Sequence, residues 1–264
     1  MLVIKDIEKT FNRGSANEKA ALRGINLHVK EGDFVTVIGG NGAGKSTMLN
    51  VIAGTYMVDT GLIKIGGENV TAQPEHIRAK KIGRVFQDPT MGTAGDMQIE
   101  ENLAISYRRG KKRCLRWGVK KEERELYKKM LKPFDLGLEE RLSTKVCLLS
   151  GGQRQALTLL MATLQKPDLL LLDEHTAALD PRTASKVLSM TDELIRENGL
   201  TAIMVTHNMK DAIKYGNRLI MMMDGKIIYD VSGEEKKNLE VKDLLKKFET
   251  SAGEEFANDR MLLI

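Results

Sequence analysis

A stretch of nine residues, GGNGAGKST at positions 39–47, sharply limits the folds open to this chain. It follows a short β-branched run at 33–38 and precedes residues 46–53, whose apolar positions have helical spacing and end at Gly54. In a strand, glycine loop and helix of this kind, backbone N–H groups converge on a helix N-terminus that favours an anion. The pattern predicts a phosphate-binding loop, and the flanking strand and helix disfavour a glycine turn that binds nothing.

Residues of this loop have expected roles toward a nucleoside triphosphate. Lys45 is expected to reach the β and γ phosphates, and the Ser46 hydroxyl to ligate a Mg²⁺ ion that bridges them. The glycines allow backbone conformations that aim successive N–H groups inward. The expected phosphate-binding set is Gly39, Asn41, Gly42, Ala43, Gly44, Lys45, Ser46 and Thr47.

Hydropathy patterns elsewhere indicate an α/β protein. Residues 2–11 and 25–29 alternate with period two and predict antiparallel strands, whereas the apolar run 169–172 predicts a buried strand. Further strands are predicted at 62–65, 82–86, 202–205, 218–223 and 226–229, and helices at 122–131, 183–197 and 211–215. Asp224-Gly225, between the last two strands, is typical of a hairpin turn. Buried strands that alternate with helices favour a mainly parallel sheet, with an antiparallel β subdomain beside it.

Shifts in composition predict how the chain is organised. Residues 99–141 are charged and poor in β-branched side chains, so a helical subdomain is expected at about 90–165. We expect one domain at 1–232 and a charged helical tail at 233–264. The apolar tail residues at 241, 244, 245 and 248 have the spacing of a surface helix, and no function is assigned to it.

Composition excludes several classes of protein. Cys114 and Cys147 form no CxxC pair and no dense framework, so reduced thiols in the cytosol are expected. No apolar run approaches the roughly 18 residues that cross a bilayer. Charged residues at 5, 6, 8 and 9 interrupt any core of a signal peptide. The net charge of +5 is too small to indicate a class of binding partner. Because no nucleic-acid-binding module is recognisable, nucleic acid is not expected as a partner.

Basic residues concentrate in one short segment. They lie beside Trp117 and comprise Arg108, Arg109, Lys111, Lys112, Arg113 and Arg116. One interpretation is a solvated helix end or loop. The other is contact with lipid headgroups or with a membrane partner, because basic residues beside an aromatic suit the membrane interface.

Two carboxylates end the apolar run at 169–172, in the sequence LLLLDE. The carboxyl end of a strand is the edge at which open α/β sheets bind ligands. Asp173 is therefore expected to hold Mg²⁺, and Glu174 to accept a proton from an attacking water. Without the glycine loop, a buried strand that ends at a helix cap would be an equal alternative.

The sequence LSGGQ at 149–153 opens a segment with helical spacing through Leu164. A serine and glycine backbone at a helix N-terminus again suits a phosphate, although a plain glycine helix start has the same pattern. With the glycine loop and the two carboxylates, LSGGQ makes the chain resemble the ATP-binding cassette (ABC) superfamily from about residue 2 to 230. The resemblance implies ATP hydrolysis, with ATP and Mg²⁺ as cofactors. It also implies a dimer that encloses two ATP molecules, in which the signature loop of one copy closes over the nucleotide of the other. The signature residues are Ser150, Gly151, Gly152 and Gln153.

The resemblance assigns roles to four more residues. Phe11 stands where the family has an aromatic residue that stacks on adenine, usually tyrosine, and an apolar strand-end residue is the alternative. Gln87 corresponds to the glutamine that senses Mg²⁺ and water. Asp180 corresponds to an aspartate that joins the two copies. His207 corresponds to a histidine that contacts the γ phosphate and orients Glu174, although a lone histidine is more often structural.

The same resemblance implies a transport role. ATPases of this kind work at the cytoplasmic face of the cell membrane with separate permease subunits, and some with an extracytoplasmic substrate-binding protein. His175 and Gly40 stand where many relatives have proline. These departures, with the segment around Trp117, make the chain similar to bacterial cassettes for uptake of tryptophan, tyrosine or other amino acids.

Two other readings compete with a transporter subunit. A soluble, non-transport ABC ATPase is disfavoured because the chain has neither long coiled coils nor a second cassette. A P-loop kinase would lack LSGGQ.

Overall fold

The computed structural model describes residues 1–111 and 118–252. Contacts divide the chain into a first unit, residues 1–78 and 199–264, and a second unit, residues 79–198. The described strands are β1 (Leu2–Phe11), β2 (Lys19–Val29), β3 (Phe34–Ile38), β4 (Thr60–Ile65), β5 (Glu68–Asn69), β6 (Ile82–Val85), β7 (Leu169–Asp173), β8 (Ala202–Val205), β9 (Arg218–Met223) and β10 (Lys226–Ser232). The described helices are α1 (Lys45–Ala53), α2 (Glu75–Arg78), α3 (Ile99–Tyr107), α4 (Lys121–Leu131), α5 (Gly151–Thr163), α6 (Pro181–Asn198), α7 (Met209–Lys214), α8 (Gly233–Lys237) and α9 (Val241–Ala252).

The first unit contains an antiparallel sheet with the order β2-β1-β4-β5. Its alternating residues place Leu2, Ile4 and Ile7 in the core, as the period-two pattern predicts. Strand β2 begins at Lys19, six residues before the predicted start. The extra part pairs with the end of β1 through register shifts, which disrupt the alternation that a sequence pattern relies on.

Asp59, just before β4, ties that strand to the end of β1. Its carboxylate accepts hydrogen bonds from the Thr10 N–H at 2.7 Å and from Lys9 Nζ at 3.1 Å. Burial acts to raise the pKa of Asp59, but these hydrogen bonds and the charges of Lys9 and Arg13 outweigh it, so the pKa lies below its usual value.

The second group of strands in the first unit has the order β10-β9-β3-β8. Strand β3 is buried along its whole length and pairs in parallel with β8 and β9, while β10 pairs antiparallel with β9. The only polar side chain of β3, Thr36, donates its hydroxyl proton to the Ala212 carbonyl at 2.9 Å. Parallel strands beside an antiparallel sheet are the α/β arrangement expected from the sequence.

The predicted hairpin at Asp224-Gly225 is confirmed. Both residues have positive φ, 47° and 75°, as a type I′ turn requires, and Met223 pairs with Lys226. Strand β10 continues to Ser232, three residues beyond the predicted end. An irregular register between Ile227 and Tyr229 breaks its alternation.

Helix α9 confirms the helical spacing of the C-terminal segment. Leu244 and Phe248 are almost fully buried and belong to a core cluster with Met209, Leu219 and Met221. The apolar face of this helix is therefore part of the core of the first unit.

The second unit combines the parallel strand pair β6 and β7 with helices α3 to α6. Helix α5 packs closely on β6, because a Cβ atom at Gly83 would lie 2.5 Å from the Ala162 carbonyl oxygen. Arg124 joins α4 to α3 through two bonds to Glu100, at 2.6 and 2.7 Å. The helix predicted at 122–131 is confirmed as α4. Among the described residues, no helix is long and apolar enough to cross a bilayer.

Candidate functional site

The phosphate loop joins β3 to α1, as predicted. Gly42 and Gly44 have φ of 79° and 99°, a region that favours glycine. A turn closes inside the loop because the Ala43 N–H donates to the Gly40 carbonyl at 3.2 Å. Helix α1 begins at Lys45, so its first N–H groups, which lack intrahelical partners, open toward the loop. This arrangement suits an anion.

Two glycines of the loop lie against neighbouring backbone. A Cβ atom at Gly39 would lie 2.4 Å from the Met222 carbonyl oxygen, and one at Gly44 would lie 2.6 Å from the Ala21 carbonyl oxygen. In addition, the Gly225 N–H donates to the Ala43 carbonyl at 3.1 Å. The β9–β10 hairpin therefore supports the loop. The sequence predicts the hairpin but gives no signal of this contact.

Lys45 points back into the loop. Its side chain is 5% exposed, and Nζ donates to the Gly39 and Gly40 carbonyls at 2.7 and 3.0 Å. A buried ammonium next to converging N–H groups gives the loop a local positive charge, which complements a phosphate group. The role of Lys45 toward the β and γ phosphates stays a prediction.

His207 follows β8, the strand that pairs with β3 just before the phosphate loop. Val37 of β3 pairs with Val205 of β8, and the Thr206 N–H donates to the Val37 carbonyl at 3.1 Å. The loop at Gly39 and the half-buried His207 each follow two residues after this pair. The carboxyl ends of parallel neighbours meet at one edge of a sheet, so the imidazole and the loop share that edge.

Phe11 is the last residue of β1 and is partly exposed. Its ring contacts the ring of Tyr56 edge to face, with centroids 5.2 Å apart, and Lys9 Nζ lies 5.6 Å from its centroid. Tyr56 is 39% exposed, so the two rings form an accessible aromatic surface. Sequence reasoning missed Tyr56, because nothing in its local pattern links it to β1.

Asp173 is the last residue of β7 in the second unit and Glu174 follows it, beside the end of β6. Val85 pairs with Leu172, so Gln87 and Glu174 each follow that pair by two residues. The structure thus brings Gln87, Asp173 and Glu174 to one sheet edge. Gln87 is exposed and both carboxylates are partly buried. Glu174 has φ of 45°, which residues other than glycine adopt rarely.

The signature loop begins α5 through a capping box. Gln153 N–H donates to Ser150 Oγ at 3.3 Å, and the Ser150 N–H donates to Gln153 Oε1 at 3.2 Å. The helix-start interpretation is therefore correct as local structure. Ser150 and Gly151 are nevertheless exposed and open to a ligand.

Asp180 caps α6 next to the signature loop. Its Oδ1 accepts the Thr183 N–H at 3.1 Å, and hydrogen bonds from Thr183 lower the pKa of this carboxyl. A Cβ at Gly152 would lie 2.2 Å from Thr183 Cγ2, and one at Gly151 would lie 3.3 Å from Leu179 Cδ2. The signature loop and the exposed Asp180 therefore form one surface of the second unit.

Ser46 in the first unit and Asp173 in the second unit are each of a residue type that can ligate Mg²⁺. Mg²⁺ is usually held by one or two carboxylates with substrate phosphates, rather than by a cage of protein ligands. Ser46 offers an exposed hydroxyl at the start of α1, and Asp173 offers a carboxylate at a strand end. No cluster of three or more metal-binding His, Cys, Asp or Glu side chains occurs within residues 1–111 and 118–252.

Part of the basic segment has partners within the chain. Arg108 pairs with Glu123 at 2.9 Å, Arg109 donates to the Ala162 carbonyl at 3.2 Å, and Lys111 lies over the Tyr107 ring. These three side chains thus have structural contacts. The remaining members, Lys112, Arg113, Arg116 and Trp117, lie outside the described residues, as does Cys114.

Comparisons with known proteins agree with the motifs. Residues 22–177 match the family model described as ABC transporter. The chain is 42% identical to the tyrosine transport ATP-binding protein of Clostridioides difficile (strain R20291), over 94% of this chain and 99% of that protein. It is 31% identical to the methionine import ATP-binding protein MetN of Streptococcus pneumoniae (strain ATCC BAA-255 / R6), over 88% of this chain and 65% of that protein.

A solved structure has the same fold. It is the dimeric post-hydrolysis state of the ATP-binding cassette MJ0796 bound to ADP and Pi, with a TM-score of 0.75 and 32% identity over 88% of this chain and 98% of that chain. The family resemblance and the fold class predicted from the sequence are confirmed.

Proposed function

Because the chain belongs to the ABC transporter family and is an ATP-binding subunit of that family, we propose that it powers import of an amino acid or similar small solute through separate membrane subunits. The relatives named for tyrosine transport and methionine import support this substrate class. We place the chain at the cytoplasmic face of the cell membrane, held there by the permease.

The phosphate loop binds the nucleotide in this proposal. Lys45 contacts the β and γ phosphates, and Ser46 and Asp173 would hold a Mg²⁺ ion, which would neutralise part of the phosphate charge. Phe11 supplies an aromatic face for the adenine, and Tyr56 fixes the orientation of that ring. Of the loop residues, the buried Lys45 beside the converging N–H groups supports phosphate binding most strongly.

Hydrolysis uses the residues at the strand ends. Glu174 accepts a proton from the attacking water, His207 contacts the γ phosphate and orients Glu174, and Gln87 senses the metal and the water. Loss of the γ phosphate removes the contacts that hold the closed state, so the protein opens again. This switching supplies the mechanical step of transport.

A second copy of the chain completes each nucleotide site. The observation that carries this proposal is the exposed surface formed by Ser150, Gly151 and Asp180 in the second unit. A serine hydroxyl and helix N-terminal N–H groups suit a phosphate that the same chain does not supply. The MJ0796 relative, described as a dimer, supports the arrangement.

We assign the permease contact to residues between Gln87 and Ser150. Met91 and Leu148 there are 69% and 68% exposed, which is unusual for large apolar side chains. The Cys147 N–H donates to the Gly95 carbonyl at 2.8 Å, so the two loops that carry Met91 and Leu148 are joined. For import, an extracytoplasmic substrate-binding protein would deliver the solute to the permease.

Sedimentation of a Glu174→Gln variant tests the dimer. With Mg²⁺ and ATP the variant should sediment with the mass of two chains, and with ADP as one. Adding Lys45→Ala should abolish the shift because nucleotide binding is lost, whereas adding Ser150→Glu should abolish it while ATP binding remains. A monomer at saturating bound ATP in Glu174→Gln would overturn the proposal.

A separate experiment tests transport. The chain should co-purify in detergent with a multispanning membrane protein, and cells without the chain should lose uptake of labelled tyrosine or another amino acid. Wild-type protein should restore uptake and Glu174→Gln should not. Unchanged amino-acid uptake, together with no membrane partner, would favour a soluble ABC ATPase.

A further inference from the structure

His175 directly follows Glu174, yet its side chain is only 2% exposed. Its Nε2 lies 3.2 Å from Oγ1 of Thr191, which is fully buried in α6. The single hydroxyl proton of Thr191 is donated to the Val187 carbonyl at 2.8 Å. The hydroxyl therefore accepts at His175, and Nε2 of the imidazole carries the proton that it donates.

Glu174 lies between two fixed points of the second unit. On one side, Asp173 ends β7, which pairs with β6. On the other side, the His175 ring is bonded to α6. The Ala177 N–H donates to the Glu174 carbonyl at 2.9 Å and closes the turn between strand and helix. A non-glycine residue with φ of 45° persists only where its surroundings hold it, and these contacts do so.

We propose that the hydrogen bond from His175 to Thr191 positions Glu174 for hydrolysis. The bond anchors His175, the residue after Glu174, to α6. This anchor maintains the positive φ of Glu174 and therefore the direction in which its carboxylate points. Both partners act through Glu174 and are positioning residues. The proposal rests on the proposed role of Glu174 as the base. The same bond supplies the partner that the buried polar ring of His175 needs.

Matched substitutions separate the hydrogen bond from packing. Thr191→Val keeps the shape and removes the hydroxyl, and Thr191→Ser keeps the hydroxyl. We expect Thr191→Val to lower kcat for ATP by roughly tenfold to a hundredfold, because a small misplacement of a reacting group has that effect. The Kd for ATP should change by less than about twofold, because the hydrogen bond is proposed to affect hydrolysis and not ATP binding. Thr191→Ser should retain most of kcat.

Substitutions at His175 provide a second pair in case Thr191→Val does not fold. His175→Gln can present an N–H near the position of Nε2 and should retain much of kcat, whereas His175→Met should lose as much as Thr191→Val. The ring tautomer gives a readout independent of activity. In a two-bond ¹H–¹⁵N spectrum of the four histidines, the signal lost in His175→Gln should be that of an Nε2–H ring.

The Glu174→Gln variant tests whether the hydrogen bond between His175 and Thr191 acts through the Glu174 carboxylate. If it acts through Glu174, Thr191→Val should cause no further loss of the residual rate there. The inference is overturned if Thr191→Val keeps the wild-type kcat, if Thr191→Ser loses as much as Thr191→Val, or if the loss persists in the Glu174→Gln background. A wild-type rate in Glu174→Gln alone would instead remove the proposed base.

Discussion

Arg78, at the end of α2, carries a buried charge in the first unit, and its removal should destabilise the protein strongly. Its side chain is 2% exposed. Its guanidinium donates to four backbone carbonyls, those of Val51, Ile52, Thr71 and Gln73, at 2.8 to 3.0 Å. Val51 and Ile52 lie in the last turn of α1, where the regular helical hydrogen bonds end and a cation is favoured. Arg78 therefore holds the end of the helix whose start forms the phosphate loop.

Arg78→Met would remove all four donors and leave buried carbonyls behind. Hydrogen bonds from a charged donor contribute about 1.5–3 kcal/mol each. Their sum overstates the loss, because the substitution also removes the cost of burying the guanidinium. A buried acceptor that loses its donor costs about 1–3 kcal/mol, and the bonds to the Val51 and Ile52 carbonyls are fully buried, so we expect about 4 kcal/mol for Arg78→Met. Arg78→Lys keeps the charge but lacks the planar fork, so we expect about half of that loss.

Urea unfolding followed by far-UV circular dichroism measures this difference. Arg23→Met is the matched control, because Arg23 is exposed in the same unit and should change the free energy of unfolding by less than about 0.5 kcal/mol. The reasoning is refuted if Arg78→Met is no more destabilising than Arg23→Met, or if Arg78→Lys is as stable as the wild type.

Three further predictions concern the phosphate loop, the base and an acid-sensitive ion pair. Glu174→Gln should lower kcat by about 10²–10⁴-fold with ATP affinity retained, and a small loss in steady-state hydrolysis would remove its assignment as the base. Gly39→Ala should cost about 1–3 kcal/mol in urea unfolding and weaken ATP binding, because its Cβ would meet the Met222 carbonyl, whereas Gly118→Ala, in open space, should do neither. The lowered pKa of Asp59 means that its stabilising contribution is present above the unfolded pKa and lost as the pH falls through the folded pKa. In unfolding curves from neutral pH to about pH 3, Asp59→Asn should therefore lose less stability on acidification than the wild type, and an equal loss would contradict this.

Features encoded by short segments could be predicted from the sequence. The glycine loop, the strand ending in Asp173 and the helix capped by Ser150 each depend on a few adjacent residues and on the period of their apolar neighbours. Their bounds agree with the structure to within a residue or two. Strand β2 was placed less well, because register shifts hide its alternation.

Contacts between distant segments could not be predicted. The support of Ala43 by Gly225, the contact of Phe11 with Tyr56 and the burial of His175 against Thr191 each join residues whose own segments carry no sign of the partner. The sequence shows that His175 stands where many relatives have proline. The hydrogen bond of His175 to Thr191, however, depends on the packing of α6. Such contacts are formed only when the chain is folded.

The central proposal is that each ATP is enclosed by two copies of the chain. The most direct measurement is a crystal or cryo-EM structure of the Glu174→Gln protein with Mg²⁺ and ATP. We predict that Ser150 Oγ and the Gly152 N–H of one copy lie at hydrogen-bond distance, about 3 Å, from the γ phosphate held by Lys45 of the other copy. Signature residues far from any phosphate, or in contact only with the nucleotide of their own chain, would contradict the proposal.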